Sequence, residues 1–101
     1  MAYEIELTRS AADELKEIRV FDRRRIVDEM NGQLRNDPLV VSRNRKPLDN
    51  VRPGFEHVPP LWQLRVGEYR VFYDVDSAVI RVYVRAIRRK GADQTTEEIN
   101  Q

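Results

Sequence analysis

Trp62-Gln63-Leu64-Arg65-Val66-Gly67-Glu68-Tyr69-Arg70-Val71-Phe72-Tyr73-Asp74 reads as two short strands joined by a turn at Gly67-Glu68. Before the turn, Gln63 and Arg65 alternate with Leu64 and Val66; after it, Arg70, Phe72 and Asp74 alternate with Val71, Tyr73 and Val75. Successive side chains of a strand point to opposite faces, so this pattern buries one face and leaves the other open. A third strand, Val79 to Ile87, continues it, with Ile80, Val82, Val84 and Ala86 on one side and Arg81, Tyr83 and Arg85 on the other. The expectation is a small sheet whose open face is cationic and suited to a phosphate backbone.

The distribution of charge supports that expectation better than its total. The net charge of the 101 residues is only +1. Residues 1–59 carry 11 basic and 11 acidic side chains, residues 60–92 carry 7 and 3, and residues 93–101 carry none and 3. The excess positive charge therefore falls on the hairpin and the third strand, with Arg65, Arg70, Arg81, Arg85, Arg88, Arg89 and Lys90. Length sets one domain with one modest core. No apolar run approaches the roughly 20 residues of a membrane span, and Met-Ala-Tyr-Glu-Ile-Glu lacks the basic start of a signal peptide. The absence of cysteine excludes disulfides and thiolate metal sites, and a single histidine, His57, argues against a histidine-rich metal site. A cytoplasmic protein with no cofactor and no membrane partner is expected.

Working outward, Tyr3 to Thr8 alternates Tyr3, Ile5 and Leu7 with Glu4, Glu6 and Thr8, a half-buried strand at or near a sheet edge. Ser10 offers an N-cap, with Asp13 three residues on, and Ala11, Leu15 and Ile18 give a first helix over about 10–19. Phe21-Asp22 marks a break and a second cap. Ile26, Val27, Met30 and Leu34 form the stripe of a second helix that stops near Asn36-Asp37-Pro38. Arg23, Arg24 and Arg25 fall in its first turn, where the helix dipole disfavours cations; they read as a solvated face or as contacts for an acidic partner.

Residues 38–61 contain Pro38, Pro47, Pro53, Pro59, Pro60 and Gly54, which disfavour helix and long strand alike. Arg43, Arg45 and Lys46 form a basic cluster there, while Leu39, Val40, Leu48, Val51, Phe55 and Val58 pin the connection to the core. Pro59-Pro60 leads into the central strand. After Gly91 the tail is polar, and Thr96 to Ile99 is compatible with a short strand or a short helix. The fold class is α+β: two N-terminal helices packed on a small, mainly antiparallel twisted sheet.

The stretch Leu61 to Tyr73 resembles the hallmark hairpin of the RelE/ParE toxins of bacterial type II toxin–antitoxin pairs. The opening strand and two helices, Arg45-Lys46-Pro47-Leu48, and the ending Val84-Arg85-Ala86-Ile87-Arg88-Arg89-Lys90 agree with it, over nearly the whole chain. The resemblance implies a RelE-like scaffold similar to microbial ribonucleases. It implies either ribosome-dependent mRNA cleavage, in which the 2′-hydroxyl attacks the adjacent phosphate, or ParE-like poisoning of DNA gyrase. It also implies a small antitoxin that wraps the toxin and carries any contact with operator DNA.

Transferring a phosphoryl group from a 2′-hydroxyl needs a proton acceptor, a proton donor for the leaving 5′-oxygen, and positive charge for the developing anion. By the resemblance, Arg70 matches the arginine after Gly-x-Tyr that faces the scissile phosphate, a role for which a planar fork is suited. Arg65 fits a backbone-holding role, and Lys90, or Arg89 before it, matches the basic residue after the last strand. Arg45, Lys46, Arg81, Tyr83, Arg85, Arg88 and Arg89 are the RNA-binding candidates, Tyr83 being the one aromatic expected to share the arginines' face and stack on a base. The departures are specific. Leu61 and Gln63 stand where RelE-like enzymes often have lysines, and Thr95 and Thr96 stand in a tail where many have a tyrosine. Arg45 or Lys46 are candidates to restore the charge, and Glu56 or His57 to titrate, since histidine does so near neutrality.

Three functions follow: a ribosome-dependent mRNA endonuclease with the ribosome and mRNA as partners; a non-catalytic inhibitor of gyrase; and a relative that only binds its antitoxin. The arginines of one sheet face favour the first. The missing lysines and tyrosine favour the others. An exposed sheet edge and an apolar groove beside the helices would take an antitoxin segment.

Overall fold

A computed structural model describes residues 2–49 and 51–90. The elements run β1 (Glu4–Leu7), α1 (Arg9–Lys16), α2 (Val20–Leu34), β2 (Arg45–Leu48), β3 (Leu61–Val66), β4 (Tyr69–Asp76) and β5 (Arg81–Arg89). They form one five-stranded sheet in the order β1-β5-β4-β3-β2. β1 runs parallel to β5 and every other pairing is antiparallel. The mainly antiparallel α+β architecture and the edge position of β1 agree with the sequence. Thr95 and the expected element at Thr96 to Ile99 lie outside the described residues. Among the described residues no helix is long and apolar enough to cross a membrane.

Both helices begin earlier than expected. Thr8, not Ser10, caps α1: its Oγ1 accepts from the Ala11 amide at 3.2 Å and donates to the Arg85 carbonyl at 3.3 Å, while its own amide donates to Val84 at 3.0 Å. One threonine thus ends β1, starts α1 and ties both to β5. The capping-box spacing at Ser10 and Asp13 was misleading because Thr8 offers the same side-chain oxygen two residues sooner. α1 ends at Lys16 and α2 begins at Val20, so there is no break at Phe21-Asp22; Asp22 lies inside the first turn and pairs with Arg19 at 3.2 Å. The earlier start leaves Arg23 at the end of the first turn and moves Arg24 and Arg25 past it, where the dipole penalty has largely decayed.

The helices cover one face of the sheet. Ala11 from α1 and Ile26, Met30 and Leu34 from α2 pack with Trp62, Leu64, Val66, Val71, Tyr73, Val82, Val84 and Ile87. Leu34 and Tyr73 are fully buried, and the Tyr73 hydroxyl donates to the Pro38 carbonyl at 2.6 Å, fastening the end of α2 to the sheet. That burial holds the phenol well above its ordinary pKa. Removing a core side chain of this size typically costs about 3–5 kcal/mol.

The opposite face is divided along its length. At one end Leu61, Phe72 and Ala86 form a second, smaller core under Leu48, Val51 and Phe55 of the connection before β3. Ala86 was expected on the helix side. A register shift between Phe72 and Tyr73, pairing Phe72 with Ala86 but Tyr73 with Val84, leaves Arg85 as an extra residue and turns Ala86 over. The same shift carries Arg88 round to stand opposite Arg70. Ile80, expected within the strand, lies in the turn before it at φ 55, and its carbonyl accepts from Glu4 at 3.0 Å. Left-handed backbone at a β-branched residue is strained. The connection is also less irregular than its prolines suggested. Its residues 45–48 form the edge strand β2, where Pro47 is tolerated because an edge strand has one unpaired side. Pro59-Pro60, a cis peptide, precedes β3.

Candidate functional site

The other end of that face, nearer the β3–β4 turn, is open and cationic. Arg65 and Arg70 are direct cross-strand partners, as are Lys46 and Gln63. Together with Arg43, Asn44 and Lys90 they line one cavity of about 190 Å³. Among the described residues no carboxylate lines it. Lys90 reaches it because its amide donates to the Glu68 carbonyl at 2.7 Å, which carries the chain past the end of β5 and alongside the turn.

Arg70 is the most constrained of these cations. It is 8% exposed, and its Nη1 donates to the carbonyls of Gly67 and Tyr69, both at 3.0 Å. Burial lowers its pKa, and the neighbouring Arg65 lowers it further. A charge held against both effects, and fixed by its own turn, is preorganised for an anion. The turn itself requires glycine. Gly67 has φ 58, and a Cβ there would lie 2.8 Å from Nη1 of Arg25, which reaches over from α2.

The remaining RNA-binding candidates are drawn into internal contacts. Arg45 points to the helix side, is 8% exposed, and donates from Nε to Val40 at 3.0 Å and from Nη1 to Gln33 Oε1 at 2.9 Å. Arg85 grips the buried Asp74 at 2.7 and 3.2 Å, and Asp74 also accepts from the Val58 amide at 2.9 Å. Arg88 pairs with Glu14 at 3.1 Å, whose other oxygen accepts from the Ile87 amide at 3.0 Å. Arg89 pairs with Glu68 at 2.8 Å and Arg81 with Glu4 at 3.2 Å; Glu68 raises the pKa of Arg89, and Tyr83 followed by Glu4 raises that of Arg81. Tyr83 is half-buried under the Arg85 guanidinium, 5.0 Å from its ring centroid. His57 stands edge-on to Phe55, at 6.3 Å, and Glu56 is exposed beside it; neither lines the cationic cavity.

The structure thus joins Arg65, Arg70, Lys90 and Lys46 and sets Arg45, Arg81, Tyr83, Arg85, Arg88 and Arg89 apart. It adds Arg43, which the sequence places in a basic cluster with Arg45 and Lys46 but on no strand, and Asn44, to which the sequence assigns no role. It also adds Glu29, the carboxylate of an adjoining cavity of about 380 Å³ that shares Asn44, Arg65 and Arg70. Its spacing on α2 says only that it is off the core stripe. Chemically, the cluster can hold a phosphodiester, neutralise the charge of a pentacoordinate phosphorus and donate a proton from a lysine.

Three solved structures share this fold. A chain of the Mycobacterium tuberculosis toxin–antitoxin complex RelBE2 superposes with TM-score 0.67 at 23% identity, covering 89% of this chain and 100% of that one. A chain of the archaeal RelE–RelB complex from Pyrococcus horikoshii gives 0.70 at 18%, covering 91% and 99%. A double mutant of Escherichia coli toxin RelE in the free state gives 0.55 at 18%, covering 97% and 94%. No curated protein sequence matches the chain. The family described as ParE toxin of the type II toxin–antitoxin system, parDE, matches residues 5–93. With most of its length matched and the two-helix, five-stranded architecture in place, this chain belongs to the RelE/ParE family of type II toxins.

Proposed function

We propose that this toxin cleaves mRNA on the ribosome, using the cavity between β2, β3 and β4 to hold the scissile phosphate. The observation that carries this reading is the convergence of Arg43, Lys46, Arg65, Arg70 and Lys90 on one cavity that, among the described residues, no carboxylate lines. Arg70 takes the non-bridging oxygens, and Arg65 and Arg43 hold the flanking backbone. The 2′-hydroxyl gives up its proton as its oxygen bonds to phosphorus. The bond from phosphorus to the 5′-oxygen then breaks, and that oxygen takes a proton from Lys90 or Lys46, leaving a 2′,3′-cyclic phosphate. Glu29 accepts the first proton, a role supported by its lining of the adjoining cavity that shares Arg65 and Arg70. A cognate antitoxin is the expected partner, its acidic segment competing for the same cations, and operator DNA is reached only through it.

One observation favours a second reading. Among the described residues neither histidine nor tyrosine lines the cationic cavity, which, with the family match, favours a ParE-like inhibitor of gyrase that uses the cluster only for binding. Cell-free translation separates the two. Cleavage of the translated mRNA within codons is expected. Intact mRNA together with blocked supercoiling by gyrase would overturn the nuclease assignment.

A further inference from the structure

The cationic cavity does not end at Arg70. It adjoins the cavity of about 380 Å³ lined by Arg25, Glu29, Asn44, Arg65, Gly67 and Arg70, sharing Asn44, Arg65 and Arg70 with it. That in turn shares Arg25, Val66 and Gly67 with a larger one of about 530 Å³, whose lining includes Arg19, Asp22, Glu68, Tyr69 and Arg89. The three follow one another through shared side chains from the sheet face, around the β3–β4 turn, to the start of α2. We propose that together they are the channel of an extended single-stranded RNA track, with Arg25 as a phosphate-binding residue for nucleotides flanking the site. This rests on the RNA reading above.

Outside the sheet-face cluster these cavities are lined by Arg19, Arg25 and Arg89 and by Asp22, Glu29 and Glu68. In the larger cavity both carboxylates are matched, Asp22 by Arg19 at 3.2 Å and Glu68 by Arg89 at 2.8 Å. In the middle cavity Glu29 accepts from Gln33 Nε2, and Gln33 is fixed in that orientation by Arg45 on its Oε1 at 2.9 Å. Arg25 has no ion pair among the described residues and lies on both cavities. Its side chain is exposed and lies against the β3–β4 turn. Its guanidinium rests where any side chain at Gly67 would stand, so the turn that orients Arg70 makes room for Arg25 as well. Arg24, one position earlier and exposed, lines none of the three cavities. The triple arginine therefore separates into one residue on the track and neighbours off it. A polynucleotide that follows a basic groove binds with a salt dependence set by the number of phosphates neutralised, each adding about 0.7 to the slope for a single strand.

The test compares Arg25→Glu with Arg24→Glu, an identical charge change on the same helix. The probe is a 2′-O-methylated RNA of roughly 12 nucleotides, a length in the range of single-strand sites, which cannot be cleaved by its own 2′-oxygen. Binding is followed by fluorescence anisotropy over a salt series, with circular dichroism to confirm the fold. Arg25→Glu is expected to weaken binding roughly three- to tenfold at low salt and to flatten the salt slope by about 0.7 or more. Arg24→Glu is expected to change neither by more than about twofold. Equal losses in both variants would reduce the effect to a general field, and no loss in Arg25→Glu would remove the residue from the path; either overturns the track. Loss of affinity for an acidic peptide but not for RNA would also overturn it. If the wild-type chain binds no RNA, the proposed nuclease function fails first.

Discussion

Replacing Arg70 by methionine separates what this side chain does for the fold from what it does for the site. Arg70 is 8% exposed and stands opposite Arg65. Its depressed pKa means that the folded protein holds this cation at a cost. Like charges facing each other across a ladder destabilise by roughly 0.2–1 kcal/mol. Against this, Arg70 donates to the carbonyls of Gly67 and Tyr69. Gly67 is exposed at the turn and Tyr69 half-buried, so water can take over part of that bonding, and each bond is worth only about 1 kcal/mol net. Methionine keeps the aliphatic volume. The two sides nearly cancel, leaving a stability change within about 1 kcal/mol, or roughly 4–8 °C in Tm for a domain of this size. The effect on chemistry is of another order: removing one preorganised donor to a developing anion costs about 10²–10³ in rate. Arg70→Lys, which keeps the charge without the planar fork, should fall between the two. The assay is cleavage of a translated mRNA in a cell-free extract, with thermal unfolding of the same preparations. A folded Arg70→Met chain that cleaves within about threefold of wild type would refute the assignment of Arg70 to the phosphate. A fall in Tm beyond about 15 °C would make the residue structural instead.

Other changes test the frame around the site. Asp74→Ala strands Arg85 and the Val58 amide, and breaking a buried pair from one side costs about 3–5 kcal/mol; urea unfolding should show it, with Asp74→Asn, which keeps one acceptor, losing less. Tyr73→Phe should cost about 1–3 kcal/mol at neutral pH by orphaning the Pro38 carbonyl. Because burial raises the phenol's pKa, the folded state keeps a proton that the unfolded chain loses near pH 10. The wild type should therefore hold this stability below pH 10 and lose it as the pH rises further, by up to about 1.4 kcal/mol per unit, whereas Tyr73→Phe should lack that slope; parallel alkaline unfolding curves would contradict it. Gln63→Glu places a carboxylate among Lys46, Arg65, Arg70 and Lys90, and should stabilise the fold by up to about 1 kcal/mol while weakening RNA binding. A gain in stability without loss of binding would mean that the cluster is not the RNA site.

The hairpin was legible because its period of two is unbroken from Trp62 to Tyr73 and because Gly67 sits where the turn needs positive φ. The helix stripes were legible for the same reason, through Ile26, Met30 and Leu34. What could not be read was anything that depended on a neighbour. The bulge at Arg85 leaves no mark in the sequence, yet it reverses the faces of Ala86 and Arg88. β2 exists because β3 pairs with it, and Pro47 alone argued against it. Arg45 and Lys46, adjacent and alike on paper, go to opposite faces once that strand is in place, one to Gln33 and the other to the cavity.

The division among the arginines is itself an argument about function. Arg81, Arg85, Arg88 and Arg89 meet Glu4, Asp74, Glu14 and Glu68, which come from β1, β4, α1 and the β3–β4 turn. The fold can therefore deliver a carboxylate to almost any part of the sheet. Glu68 is even adjacent to Tyr69 and Arg70 in sequence, yet its side chain turns to Arg89. That Arg65 and Arg70 face each other while, among the described residues, no carboxylate lines their cavity is consequently not a failure of supply. A site already neutralised from within would have to break that pair before an anion could enter, spending binding energy on the exchange. Leaving the cations exposed to one another instead places the cost in folding stability and keeps the site ready for an anion.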